Sequence, residues 1–245
     1  AATTVGDYAL FGGGTTGSSS NVVDAYNASL TRSTPTALST ARYQLAATTV
    51  GDYALFGGGY SSYVVVNAYN TSLTMTKATN LSTGIYSLGA TTVGSYALFA
   101  GGYAGAKSAS SNVVNAYNTS LTMTTATALS RARCMLAATT IGSYALFAGG
   151  ATSLSTSSRT GVVNAYNTSL TMTTATSLST NRFNLAATTV GDNALFGGGN
   201  ANSAYSAVVN AYNTSLTMTT ATALSTGRYN LAATTVGDYA LFGGG

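Results

Sequence analysis

The sequence predicts an all-β fold, a β-propeller of four-stranded antiparallel blades forming one domain over residues 1–245. Three observations predict it. The stretch AATTVGDYALFGGG, or a close variant, recurs at 1–14, 46–59, 89–102, 137–150, 186–199 and 232–245, with starts 45, 43, 48, 49 and 46 residues apart. A period of that length, in units rich in short β-type runs and glycine, marks a propeller or a similar array. Within each unit, alternating Val, Thr and aromatic residues are punctuated by Gly and Asn, and no helical period appears. No linker or shift of composition interrupts the array, so it reads as one domain.

Each unit offers four strands in order. LAATTV, as at 45–50, alternates small side chains and suits the crowded innermost position of a blade. YALF is bulky on both faces, with Tyr53 and Leu55 one way and Ala54 and Phe56 the other, so it should be covered on both sides. The third strand carries a Val pair and a Tyr (Tyr26, Tyr69, Tyr117, Tyr166, Tyr212). LTMTTAT, with Thr along one face, suits an outer strand that meets water. Gly-Asp or Gly-Ser makes a two-residue hairpin turn between the first two strands. Asn-Thr-Ser or Asn-Ala-Ser between the last two can bond its own backbone as an Asx-turn.

These units resemble the kelch repeat. That family pairs an apolar strand ending in Gly-Gly with a downstream Tyr, then a Trp, then an Arg before the next unit. The matching residues are Phe56-Gly57-Gly58, Tyr69 and an Arg such as Arg42, Arg133, Arg182 or Arg228. The Trp is replaced by Met75, Met123, Met172 or Met218, and by Arg32 in the first unit. The resemblance implies a propeller of four-stranded blades and, as is usual in the family, a binding role.

The inner hairpin occurs six times and the outer strand pair five times. Six inner hairpins around the axis are expected, with the last outer pair supplied from outside this segment or by another chain; five blades with a displaced hairpin is the alternative. An unpaired strand edge is a site for association, so self-association through the incomplete terminal blade is a further expectation.

Variation between units is concentrated. The two hairpin turns hardly change. The connection from second to third strand does change: TTGSSSN, YSSY, YAGAKSASSN, ATSLSTSSRTG and NANSAYSA. So does the connection into the next unit: ARYQ, GIYS, ARCM, NRFN and GRYN. In an up-and-down blade both variable connections lie at one end, which makes that end a candidate binding surface on a rigid scaffold. Tyr60, Tyr63, Tyr103, Lys107, Arg159 and Tyr205 are expected on its rim, with Arg42, Tyr43, Tyr86, Arg133, Arg182, Phe183, Arg228 and Tyr229 ringing the mouth of the central channel. Tyr and Arg supply rigid contact area and bidentate hydrogen bonds, which suit a protein or a glycan. The competing reading is that exposed loops drift freely and the arginines cap strand ends.

Other classes fare worse. Charged residues are 6% of the chain, and the nine Lys and Arg form no run, against nucleic-acid binding despite the net charge of +4. No apolar run approaches the roughly 18–20 residues of a membrane span. His and Glu are absent, and the five Asp recur mainly in one turn (Asp7, Asp52, Asp192, Asp238), where Ser95 and Ser143 replace them. Ser is a poor substitute for a carboxylate ligand, so these are turn formers and no metal or other cofactor is expected. Without His, a Ser or Cys nucleophile lacks its usual base, and copper oxidation lacks its ligands. Gly12 to Gly17 matches G-x-G-x-x-G, but a strand rather than a helix follows, against a dinucleotide site. Cys134 is alone, so no internal disulfide forms. Asn27, Asn70, Asn80, Asn118, Asn167 and Asn213 begin N-x-S sequons, read first as turn formers and second as glycan acceptors. The Thr ladders read as a solvated outer strand rather than an ice-binding face.

With neither an initiator Met nor a signal sequence, the chain reads as a mature or excised segment. The expected function is a non-enzymatic recognition module, such as a surface adhesin or a virus or phage receptor-binding part, in an extracellular or virion setting. The alternative is a structural or designed repeat scaffold.

Overall fold

The computed structural model describes residues 1–155, 158–202 and 204–245. The chain is all-β, with no α-helix and one short 3-10 turn at Gly105–Lys107 among the described residues. Five four-stranded antiparallel sheets follow one another, each with its strands in chain order. The first holds Ala2–Val5, Tyr8–Thr15, Ser19–Asn27 and Arg32–Ser33. The second holds Ala46–Val50, Tyr53–Gly57, Val66–Asn70 and Met75–Lys77, and the third Gly89–Val93, Tyr96–Ala100, Val114–Asn118 and Met123–Thr125. The fourth holds Ala137–Ile141, Tyr144–Ala148, Val163–Asn167 and Met172–Ala175, and the fifth Ala186–Val190, Asn193–Gly197, Val209–Tyr212 and Met218–Ala221. A two-stranded hairpin, Ala232–Val236 with Tyr239–Gly243, ends the series. The arrangement is β-propeller-like.

Innermost strands of successive sheets lie side by side, joined by threonine hydroxyls. Thr3 bonds Thr49, Thr48 bonds Thr92, and Thr91 bonds Thr140, each at 2.8 Å. Thr139 bonds Thr189 at 2.9 Å, and Thr188 bonds Thr235 at 2.7 Å. The second Thr of each pair also donates to a backbone carbonyl of the preceding strand, as Thr92 does to Thr49 and Thr235 to Thr189. Small alternating residues are therefore required here for close approach. The AATTV threonines are connectors, whereas those of the outermost strand meet solvent as expected.

YALF is buried on both sides, as its pattern predicts: Ala54, Leu55 and Phe56 are all inaccessible. Leu10, Val5, Val23, Ala25 and Leu38 of the first unit pack against Ala54, Phe56 and Tyr69 of the second, and the same residue types repeat along the array. The Phe sits edge-on to its own sheet's Tyr, as in Phe56–Tyr69, Phe99–Tyr117, Phe147–Tyr166 and Phe196–Tyr212, with centroids 5.8–5.9 Å apart. Phe56, Phe99 and Phe242 also cover a strand-end glycine of the sheet before them, whereas Ala100 and Ala148 stand at that place in the third and fourth sheets. A Cβ on Gly12, Gly57 or Gly197 would lie 2.7 Å from the ring of Phe56, Phe99 or Phe242. Gly12 therefore serves close packing. At the two ends of the array this burial is incomplete: Phe11 is 52% exposed and Tyr239 73% exposed.

The Asn of each third strand forms the expected Asx-turn. Asn70 Oδ1 accepts from the amides of Ser72 and Thr74, and Asn27, Asn118, Asn167 and Asn213 repeat the arrangement. That turn shortens the outermost strand relative to the LTMTTAT expectation. The Leu73 amide donates to Asn70 O and its φ is 60°, so Leu73 belongs to the turn and the strand begins at Met75. Leu121, Leu170 and Leu216 do the same.

Each buried third-strand Tyr also reaches back to the preceding unit. Tyr69, Tyr117, Tyr166 and Tyr212 donate to the carbonyls of Thr36, Thr79, Thr127 and Thr176 at 2.7–2.8 Å. Burial pushes the Tyr69 hydroxyl up to about 12, opposed by the nearby Arg42, and raises Tyr117, Tyr166 and Tyr212 as well.

Two outcomes are expected. Phe147→Ala, at a fully buried interface residue, costs about 3–5 kcal/mol in denaturant unfolding; Met172→Ala, on the half-buried outer strand, costs clearly less. Equal costs would contradict the strand order. On alkaline titration, the four buried tyrosines keep protons in the folded chain that the unfolded chain loses near pH 10. Their contribution favours folding below pH 10 and is lost as the pH rises from there through about 12. The readout is tyrosinate absorbance, in which four of the 17 tyrosines ionise only with unfolding. Ionisation of all 17 in the folded chain would contradict their burial.

Candidate functional site

Both variable connections of each unit converge at one end. An isolated bridge ties each pair together: Tyr43 with Tyr60, Tyr86 with Tyr103, Cys134 with Ala151, and Phe183 with Asn200. The residue after each bridge's first member is held at positive φ, as Gln44, Ser87, Met135 and Asn184, and so is Asn230 at the matching place in the last unit, all at 52–56°. Their backbones form a chain of hydrogen bonds, Ser87 N to Gln44 O, Met135 N to Ser87 O, Asn184 N to Met135 O and Asn230 N to Asn184 O, at 2.8–3.0 Å. These residues, with Leu45, Leu88, Leu136, Leu185 and Leu231, line a cavity of about 620 Å³ where the innermost strands begin.

The arginines expected at the channel mouth are elsewhere. Arg42, Arg133 and Arg182 are fully buried between units. Arg42 donates to Phe56 O at 3.1 Å and Asn67 Oδ1 at 2.9 Å; Arg182 donates to Phe196 O at 3.0 Å and Asn210 Oδ1 at 2.9 Å. Arg133 donates to Phe147 O at 3.1 Å. Arg228 is half-buried and donates to Phe242 O at 3.3 Å. Burial pushes the guanidiniums of Arg42, Arg133 and Arg182 down to about 10. Their long side chains tie the connection between two units to the second strand of the next sheet, and in Arg42 and Arg182 to its third strand as well, so they cement sheets instead of meeting a ligand. Ile85 fills the corresponding position between the second and third sheets and is equally buried. Phe183 is likewise mostly buried, in a small cluster with Cys134 and Ala151.

The tyrosines expected on the rim and at the mouth lie together. Tyr43, Tyr60, Tyr63, Tyr86 and Tyr103 form one continuous aromatic patch. Centroid separations are 5.1 Å for Tyr43–Tyr60, 5.5 Å for Tyr60–Tyr63, 5.4 Å for Tyr60–Tyr86, 5.9 Å for Tyr63–Tyr86 and 5.5 Å for Tyr86–Tyr103. Tyr60 is 40% exposed and the other four are half-buried. Neighbouring phenols raise Tyr86 behind the larger effect of partial desolvation. Lys107 is exposed at the rim of an adjacent groove of about 450 Å³ shared with Tyr63.

A second group lies across the face. Tyr205 stacks on Tyr229, with centroids 4.6 Å apart. Arg159 lies over the Phe183 ring at 5.5 Å and donates to Asn200 O at 3.2 Å and Asn200 Oδ1 at 2.8 Å. Thr156, Ser157 and Ser203 of these loops lie outside the described residues. Gln44, Ser87, Met135, Asn184 and Asn230 share no residue type, and it is the backbone hydrogen bonds linking one unit to the next that bring them to the cavity.

The recurrent Asp7, Asp52, Asp192 and Asp238 are exposed at the opposite hairpin turns. No group of three or more His, Cys, Asp or Glu among the described residues is placed to hold a metal ion. No helix among them is long and apolar enough to cross a membrane.

No family model and no curated protein matches the chain. The solved structure of YjhT is similar, with a TM-score of 0.76 over 98% of this chain and 89% of that one, at 12% identity. The likeness is one of fold.

Cys134 tests the packing of this face directly. Its thiol is raised by burial, with Ser110 opposing, and it lies 3.6 Å from Ala151 O. The native chain is expected not to react with a disulfide reagent such as DTNB at pH 8, and to release one equivalent on unfolding. Prompt reaction in the native state would mean that the loops around Ala151 and Phe183 do not close over it.

Proposed function

We propose that this chain is a non-enzymatic recognition module, a kelch-like propeller of six inner hairpins that binds a glycan or a protein on its variable-loop face. The observation that carries the reading is the continuous patch of Tyr43, Tyr60, Tyr63, Tyr86 and Tyr103 beside the 620 Å³ cavity. Aromatic faces on rigid backbone stack on the apolar faces of sugar rings or on protein side chains with little entropy to lose, and their hydroxyls supply adaptable hydrogen bonds. The phenol groups lie on the one end of the molecule where units differ. Support for the kelch-like reading is the Phe-Gly-Gly or Phe-Ala-Gly strand end, the buried Tyr69, Tyr117, Tyr166 and Tyr212 and the buried Arg42, Arg133 and Arg182, with Met75, Met172 and Met218 beside the Asn where the family has Trp.

One observation favours the scaffold alternative. The contacts between sheets repeat with the same residue types in unit after unit, which a stable array needs whether or not it binds anything. The two readings part on the tyrosines. A glycan array and a protein pull-down with the intact chain and with a Tyr60→Ser, Tyr63→Ser, Tyr103→Ser variant are expected to show bound species that the variant loses by about tenfold or more, at an unchanged melting temperature. If the parent binds nothing, or the variant keeps every ligand, the recognition reading fails.

A further inference from the structure

The few charges of the chain are divided between its two ends. All five acidic residues are Asp. Asp7, Asp52, Asp192 and Asp238 stand exposed on the hairpin turns opposite the variable loops, and Asp24 is paired with Arg32 at 3.5 Å in the first sheet. The variable-loop end thus has no carboxylate, while its connections hold Lys107 and Arg159. Arg42, Arg133 and Arg182 stand in the same connections, and guanidiniums that burial brings down to about 10 stay protonated at neutral pH. Among the described residues none of these five cations is paired with a carboxylate. A surface of one sign over a low-dielectric interior concentrates ions of the other sign.

One place at this end departs from the repeat. Between the second and third sheets, Ile85 takes the position of the buried arginine. Tyr63 lies against two glycines of neighbouring loops: a Cβ on Gly84 would lie 2.8 Å from Tyr63 Cβ, and one on Gly105 would lie 3.2 Å from its ring. Both glycines therefore make room for this one ring. Ser61 and Ser108, in the same loops, are held at φ 82° and 48°. Every other described non-glycine residue at positive φ occupies a place that recurs from unit to unit. Positive φ is uncommon for a residue with a Cβ, and where it is not part of the repeat it marks a locally imposed shape.

What these departures shape is the groove of about 450 Å³ beside the tyrosine patch. Tyr63, Val64 and Ala104 give it apolar lining, and Ser62 and Thr83 bring hydroxyls. Lys107, at its rim, has no hydrogen bond or ion pair among the described residues. An aromatic wall, hydroxyls and an unpaired ammonium match a sugar ring that carries an anionic group. The ring's apolar face stacks, its hydroxyls are bonded and its charge is met. The volume is that of a small-ligand pocket, which fits a sugar unit better than the face of a protein.

We propose that the groove between Tyr63 and Lys107 is the principal subsite of the variable-loop face and takes an acidic glycan, its ring against Tyr63 and its carboxylate or sulfate on Lys107. The assignment rests on the recognition reading above and narrows it to one ligand class.

The test is fluorescence polarisation of labelled tetrasaccharides titrated with the intact 245-residue chain. Hyaluronan supplies carboxylate alone, keratan sulfate supplies sulfate alone, and chitotetraose is neutral; a poly-Glu peptide stands for an acidic protein. Saturable binding of at least one acidic tetrasaccharide is expected, with chitotetraose and poly-Glu about tenfold weaker or worse. Lys107→Met should weaken the acidic tetrasaccharide about tenfold, since a charge-assisted hydrogen bond is lost, and Lys107→Arg should retain it. Lys77→Met removes the same charge from the exposed outer strand of the second sheet and should change nothing. The proposal is overturned if no acidic tetrasaccharide binds, if chitotetraose or poly-Glu binds as tightly, if Lys107→Met is without effect, or if Lys77→Met costs as much. In each of those cases the recognition reading still stands wherever the array or the pull-down shows a ligand that the tyrosine variant loses.

Discussion

Every sheet in this protein is apolar on both sides, and that constraint governs the rest. A strand such as Tyr53–Gly57 has no face it can leave to water, because Ala54, Leu55 and Phe56 are all inaccessible. A single four-stranded sheet of this composition would expose one apolar face or the other. Stacking each unit on the next buries both, in the manner of repeat proteins whose stability is a sum of neighbour interfaces. Phe56, Phe99 and Phe242 cover a glycine of the sheet before them, Tyr bonds back to a Thr carbonyl, and the inner threonines tie adjacent strands. These contacts use the middle of each sheet, the innermost strand and the Asx-turn end. Only the opposite end is left free to change.

That division explains both what was legible in the residues and what was not. YALF, apolar or aromatic at every position, announced a strand covered on both sides, and Gly-Asp and Asn-Thr-Ser announced their turns. The arginines misled because their position in the connection ARYQ suggested the mouth of the channel. A long side chain can leave its own backbone position, and Arg42 does so, reaching Phe56 O and Asn67 Oδ1 in the next sheet. The burial of those arginines follows from a partner in another unit, which no reading of one unit reveals. Ile85 in the same place was a signal that an apolar environment awaits there, since replacing a buried charge by a residue of similar bulk is tolerated when nothing depends on the charge. Asn115 Oδ1 then lacks the arginine donor that Asn67 and Asn210 have, and keeps the amide of Ser82.

The candidate site was half legible for a related reason. Tyr43 and Tyr60 stand in different connections, 17 positions apart, yet the bridge between them brings their rings to 5.1 Å. The sequence marked both as variable-face residues, but the patch exists only because consecutive units are angled about a common line of inner strands. The lining of the 620 Å³ cavity depends on the same geometry. Gln44, Ser87, Met135, Asn184 and Asn230 differ in their side chains, and what unites them is a left-handed backbone and a chain of hydrogen bonds from unit to unit. Side-chain variety on a fixed backbone position is what a rigid recognition scaffold offers at low entropic cost.

The central claim is that interfaces between sheets, rather than the sheets themselves, hold the fold together. Amide hydrogen exchange resolved strand by strand tests it most directly, because opening free energies report local cooperativity. The account predicts that the YALF strands of the second, third and fourth sheets, buried on both sides, exchange together and most slowly. The first sheet, with Phe11 exposed, and the hairpin ending at Gly243 should exchange earlier, in order of the interface they lack. Equal protection at Tyr239–Gly243 and Tyr144–Ala148, or sheets that each exchange independently of their neighbours, would contradict it.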